Sequence, residues 1–146
     1  MKKLFFLLIS ILFCKCAGIP SYHDLGKNYY YVFETTLERD IEKVGSIIID
    51  DVVVNYAFDS TFILVDQKPI DKICLCNDTC LMKIYKNWRN MPTLQMCLDA
   101  FEKSTFHQYW IINKKNDSVW GPFTKEKFIQ KKIEKGVPNN LILEKN

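Results

Sequence analysis

Arginine is nearly absent from this 146-residue chain, with only Arg39 and Arg89. Bidentate recognition of phosphates and base edges leans on that side chain, so no nucleic-acid partner is expected. Histidine is equally scarce, at His23 and His107. No G-x-S-x-G elbow, H-E-x-x-H helix, phosphate-binding glycine loop or dinucleotide fingerprint occurs. No catalytic residue, metal site or cofactor is therefore assigned, and the chain is not expected to be an enzyme. Asp50 and Asp51 come nearest to paired carboxylates, yet neighbours on a strand point to opposite faces. Five glycines are too few for a fibre, and no internal repeat or low-complexity tract is visible. Past the leader, no run approaches the 18 apolar residues of a membrane-spanning helix.

What is present begins with an address. Lys2 and Lys3 precede ten apolar or small residues, 4–13 (LFFLLISILF). A basic start and a short apolar core fit a secretory signal peptide, and ten residues are too few to span a bilayer. Running into Cys14, this leader resembles those of bacterial lipoproteins, which implies lipidation of Cys14 and a membrane anchor. Phe13 departs from the small residue that pattern wants before the cysteine. The rival is ordinary cleavage after Gly18, since Cys16-Ala17-Gly18 meets the small-x-small rule. The expected organisation is a leader over 1–18, or 1–13 if Cys14 is lipidated. A single extracytoplasmic domain follows over 19–146.

The formal charge of +3 belongs to that leader. Setting Lys2, Lys3 and Lys15 aside leaves 17 basic residues against 17 acidic ones, divided unevenly. Residues 19–66 carry 3 basic and 9 acidic groups; residues 67–146 carry 14 and 8.

The rest of the pattern predicts an α+β fold: a mainly antiparallel sheet, a capped C-terminal helix and a helical cysteine-bearing insertion. Residues 29–35 (YYYVFET) are aromatic and β-branched, a strand signal, whereas 21–28 read as a polar tether. Residues 37–44 fit either a helical turn or a polar strand edge. Segments 53–57 and 62–66 flank the Asp59-Ser60 turn as a hairpin. Residues 94–101 place Leu94, Cys97, Leu98 and Phe101 on one helical face, and 106–113 (FHQYWIIN) form a strand. Its return over 118–120 is expected to stop at Gly121-Pro122. The last helix is the best specified: Thr124 caps it, Phe123 and Phe128 are spaced for a hydrophobic staple, and Gly136 ends it. Ile129 and Ile133 are expected to extend its apolar side.

All cysteines beyond the leader lie in an insertion over about 70–105: Cys74, Cys76, Cys80 and Cys97. In an exported protein they predict two disulfides. A one-residue spacer makes a 74–76 bond awkward, leaving 74–97 with 76–80, or 74–80 with 76–97. A four-thiolate zinc site lacks the usual C-x2-C spacing, and thiol catalysis lacks a C-x-x-C pair. His107 is expected to be structural or exposed. Tyr109, Trp110 and Trp120 are candidate binding residues on the terminal hairpin, where an aromatic patch would hold a protein, peptide or glycan.

The strings VNYAFDSTFILVDQKP (54–69), YWIINKK (109–115) and GPFTKE (121–126) resemble a family of small bacterial lipoproteins of uncharacterised function. That resemblance implies a lipid-anchored protein of the cell membrane or outer membrane, with no activity attached. Residues 110–126 alone resemble the hairpin and helix start of GYF-type modules, which implies recognition of proline-rich peptides. The expected function is a non-enzymatic binding or protective module of the cell envelope. A periplasmic or secreted peptide-recognition module, inhibitor or immunity-type protein is the alternative.

Overall fold

The structure, a computed structural model, describes residues 20–50, 52–69 and 94–143. Two antiparallel meanders form in succession. The first sheet takes β1 (Ser21–Gly26), β2 (Tyr29–Thr35), β3 (Glu38–Lys43) and β4 (Ser46–Ile49) in that order. The second takes β5 (Val52–Phe58), β6 (Phe62–Lys68), β7 (Gln108–Asn113) and β8 (Ser118–Phe123). Helix α1 (Leu94–Lys103) lies between β6 and β7, and α2 (Lys125–Glu134) follows β8. No helix among the described residues is long and apolar enough to cross a membrane.

The sheets stack face to face. Leu25, Tyr29, Ile41 and Ile49 of the first meet Val53, Ile63, Val65 and Ile112 of the second. The opposite face of the second sheet offers Phe62, Leu64 and Ile111 to Phe128 of α2 and to Val137 and Leu141 beyond it. The second sheet is thus a middle layer, covered on both faces. This explains why all four residues of 62–65 (FILV) are buried, although an antiparallel strand with one wet face would alternate.

The expected hairpin forms, with Asp59 Oδ1 accepting the backbone N–H of Thr61 at 2.6 Å and of Phe62 at 2.7 Å. Two expectations need correction. Residues 21–26 are a strand, not a tether: they pair with β2 and bury Leu25 completely, and their polar composition belongs to an edge with an open face. The sheet also does not stop at Gly121-Pro122, because β8 continues to Phe123. As an edge strand it tolerates a residue without an N–H. Residues 38–43, open between two readings, are a strand with only Ile41 fully buried.

Helix α2 follows its cap signals. Lys127 N donates to Thr124 Oγ1 at 3.4 Å, and Phe128 is buried with Phe123 packed against its cluster. At the far end Val137 N donates to Lys132 O at 2.9 Å and Gly136 N to Ile133 O at 3.1 Å, the paired bonds of a Schellman motif. Ile129 and Ile133 do not extend the buried side: they are 53% and 74% exposed, Ile129 on the flank of the stripe that Phe128 buries. A ten-residue helix lying on one sheet buries one stripe, and Phe128 occupies it.

The β7–β8 turn locks the ends of the sandwich. Lys114 is buried, donates to the Leu25 carbonyl, and lies 5.3 Å over the Phe58 ring. Burial lowers its ammonium pKa, against the pull of Asp59 and Asp24. Beside it, Asp117 accepts from Tyr29 Oη at 3.1 Å and pairs with Lys43 Nζ at 2.6 Å. Burial, reinforced by Asp117, pushes the Tyr29 phenol up from 10.0 to about 12. The folded state therefore holds that proton more tightly than the unfolded chain. Its contribution is complete below pH 10.0 and lost as pH rises towards 12. We expect this group to cost about 2 kcal/mol of stability across that window. Denaturant titrations at stepped pH should show a shallower alkaline decline for Tyr29→Phe than for the natural chain.

Of the four cysteines expected to form disulfides, only Cys97 lies within the described residues. Cys14, Cys74, Cys76 and Cys80 lie outside the described residues, and Cys97 sits on α1 with its side chain likewise outside them.

Candidate functional site

Strand alternation carries Leu64, Asp66 and Lys68 of β6 to the face that receives α2. Tyr109 of β7 stands opposite Asp66 in register, and His107 precedes it by two residues. His107 Nδ1 donates to Asp66 Oδ1 at 2.6 Å, the carboxylate being able only to accept. The His107 ring stacks on Tyr109 at 6.3 Å, and Tyr109 on Phe128 at 5.1 Å, so three rings line up from sheet to helix.

From above, α2 contributes Lys125, Phe128, Ile129 and Lys132, at the i, i+3, i+4 and i+7 positions of one helical face. Val54 and Asn55 of β5 and the tail residues Ile142 and Leu143 complete the walls. Between these walls is a cleft of about 650 Å³, within the range of small-ligand sites. A second groove, about 320 Å³, adjoins it along residues 55–58 and 140–142, sharing Asn55 and Ile142 with the cleft.

The electrostatics are lopsided. Asp66 is the acid of the cleft lining; burial raises its pKa, opposed by the His107 hydrogen bond. Burial likewise raises the Tyr109 hydroxyl, with Asp66 and Glu126 adding to it. Three lysines face these groups. Lys68 Nζ donates to the Phe101 carbonyl at 3.2 Å and lies 5.1 Å over that ring, and Lys132 Nζ donates to the Leu141 carbonyl at 2.6 Å. Lys68, Lys125 and Lys132 make no ion pair among the described residues. Burial depresses the Lys132 ammonium, whose hydrogen bond among the described residues goes to the Leu141 carbonyl. An ammonium that has lost water and found only a carbonyl retains donors for an incoming anion.

The residues singled out from sequence separate here. Tyr109 lines the cleft. Trp120 packs in the same layer, under Lys135 at 4.9 Å from its ring. Trp110 points the other way, towards the first sheet, and its Nε1 donates to Gln67 Oε1 at 2.7 Å. The three rings therefore form no single patch. The Asp66–His107 pair and the lysines were not anticipated. The one sequence signal for them is the shared helical face of Lys125 and Lys132, visible only once that face is known to overhang a strand.

A family described as "Protein of unknown function (DUF3997)" matches residues 26–146. The chain belongs to this family. The match takes in β2 through α2 and every cleft residue, leaving nearly all of β1 outside. Neither the curated proteins nor the solved structures gave a match.

Proposed function

We propose that the protein is an exported, lipid-anchored binding module that holds an anionic ligand in the cleft between its second sheet and α2. The observation that carries this reading is the convergence of Lys68, Lys125 and Lys132 beside an apolar lining, with no ion pair among the described residues. Phe128, Ile129 and Leu143 supply that lining, so the fitting ligand joins a negative group to an apolar body. The Asp66–His107 pair fixes one ring nitrogen and lends the cleft a directed polar group. No hydroxyl of serine or threonine and no thiol stands in the described lining to act as a nucleophile beside it.

Export and anchoring rest on the Lys2-Lys3 start, the apolar 4–13 core and Cys14. Intact mass of the native protein extracted from membranes, with and without reductant, tests this half. The expected mass is that of a chain beginning at Cys14 with added acyl groups and two disulfides; a chain retaining residues 1–13 contradicts it. The cleft is tested by titrating the full-length protein with naphthalenesulfonate, an anion on an apolar ring system, and following backbone amide resonances. Shifts should centre on 66–68, 107–109 and 125–132. Shifts scattered over the first sheet would sink the assignment.

A further inference from the structure

The two sheets present four edge strands among the described residues, and three are blunted. β1 is polar and bulged at Asp24/Gly26, β4 has four residues, and β8 carries Pro122 next to a register shift. These are the usual devices that keep a sheet edge from pairing. The fourth edge, β5, differs. Its seven residues (VVVNYAF) include no proline and no charge, and among the described residues its sole strand neighbour is β6. Its one irregularity, at Val53/Asn55, lies towards the start, and from Asn55 to Phe58 the pairing with β6 is regular.

Beside this regular stretch runs the 320 Å³ groove, walled by residues 140–142 and opening into the lysine-lined cleft. We infer that β5 accepts an extended acidic peptide as an added strand, whose carboxylates reach Lys125 and Lys132. This rests on the anionic-cleft reading and names its ligand class. An added strand gains its affinity from main-chain hydrogen bonds and its specificity from alternate side chains. With that period, every second residue of the peptide faces the helix side, where the lysines stand. The wall at 140–142 and the small groove volume favour a single strand over a second folded copy.

The test uses the full-length protein and a labelled octapeptide of alternating glutamate and valine, read by fluorescence anisotropy. Two further octapeptides carry N-methyl groups on alternate backbone nitrogens, one in each phase. A fourth replaces glutamate with lysine. Methylation of the phase facing β5 should weaken binding by at least about 10-fold and the other phase by less than about 2-fold, because only one set of N–H groups meets the edge. The lysine peptide should not bind, and amide exchange over 55–58 should slow in the complex. Equal binding of both methylated peptides, no binding of the glutamate peptide, or unprotected β5 amides would overturn strand addition. If naphthalenesulfonate still titrates the cleft under those results, the anionic-cleft reading stands and strand addition alone falls. If neither probe binds, both fall.

Discussion

Phe128→Ala should lower the unfolding free energy by about 3–5 kcal/mol, the range for emptying a buried aromatic site. The ring is 6% exposed and packs among Phe62, Leu64 and Ile111 below, with Val137 and Leu141 beside it. It also stacks on Tyr109 at 5.1 Å. Helix α2 has only ten residues, too few to persist alone in water, so its stability comes from this docking. Losing the ring therefore loosens the helix and opens the cleft it roofs. Ile129→Ala, one position further and 53% exposed, should stay within about 0.5 kcal/mol. Urea denaturation of the two variants separates the buried stripe from the outward one.

Gly121→Ala should cost about 3 kcal/mol, for two reasons that add. Gly121 has φ of +143°, a conformation that disfavours any side chain. A Cβ there would also lie 2.6 Å from Trp110 Cε3 and 2.8 Å from the Tyr109 carbonyl oxygen. Neither neighbour yields easily: the indole packs against the core between the sheets and its Nε1 is bonded to Gln67, while the carbonyl is backbone of a central strand. Thermal unfolding should therefore show a markedly lowered midpoint for Gly121→Ala. Gly45→Ala offers a comparison, since its φ is also positive, at +75°, but nothing stands within 4 Å of the added carbon. That variant should bear the backbone penalty alone, about 1 kcal/mol.

Local signals in the sequence were faithful where one element decides its own fate. Thr124 and Gly136 bracket α2 because capping is settled within a few residues. The Asp59 turn joins β5 to β6 because its carboxylate bonds the next two amides it meets. Signals failed where the outcome depends on a partner far along the chain. The polar run 21–26 becomes a strand because β2 pairs with it, and Ile129 stays half exposed at the cleft because Phe128 already fills the stripe over the sheet. Lys114, a lysine in the turn after β7, is buried because the Leu25 carbonyl across the sandwich receives it.

The candidate site was less legible than the fold for the same reason. Its parts come from β5, β6, β7 and the residue before it, α2 and the tail, and no two of these carry a recognisable motif together. His107 gave no sign of Asp66, which lies 41 residues away and meets it only through the β6–β7 register. The aromatic run at 109–110 looked like a unit, but strand alternation sends Tyr109 to the cleft and Trp110 to the opposite layer.

The central claim is that lysines without an ion pair among the described residues make this cleft an anion site, and one comparison tests it most directly. The Kd of naphthalenesulfonate should be measured at low salt for the natural chain and for the K125E/K132E double variant, with circular dichroism to verify the fold. Lys125 is exposed and Lys132 half-buried on the helix face that lines the cleft, so reversing them inverts its charge, and circular dichroism checks that the tail survives loss of the Lys132 bond to the Leu141 carbonyl. The account predicts affinity weaker by about 10-fold to 100-fold in the variant, the scale of two partly desolvated charge contacts. An unchanged Kd in a correctly folded variant would contradict it.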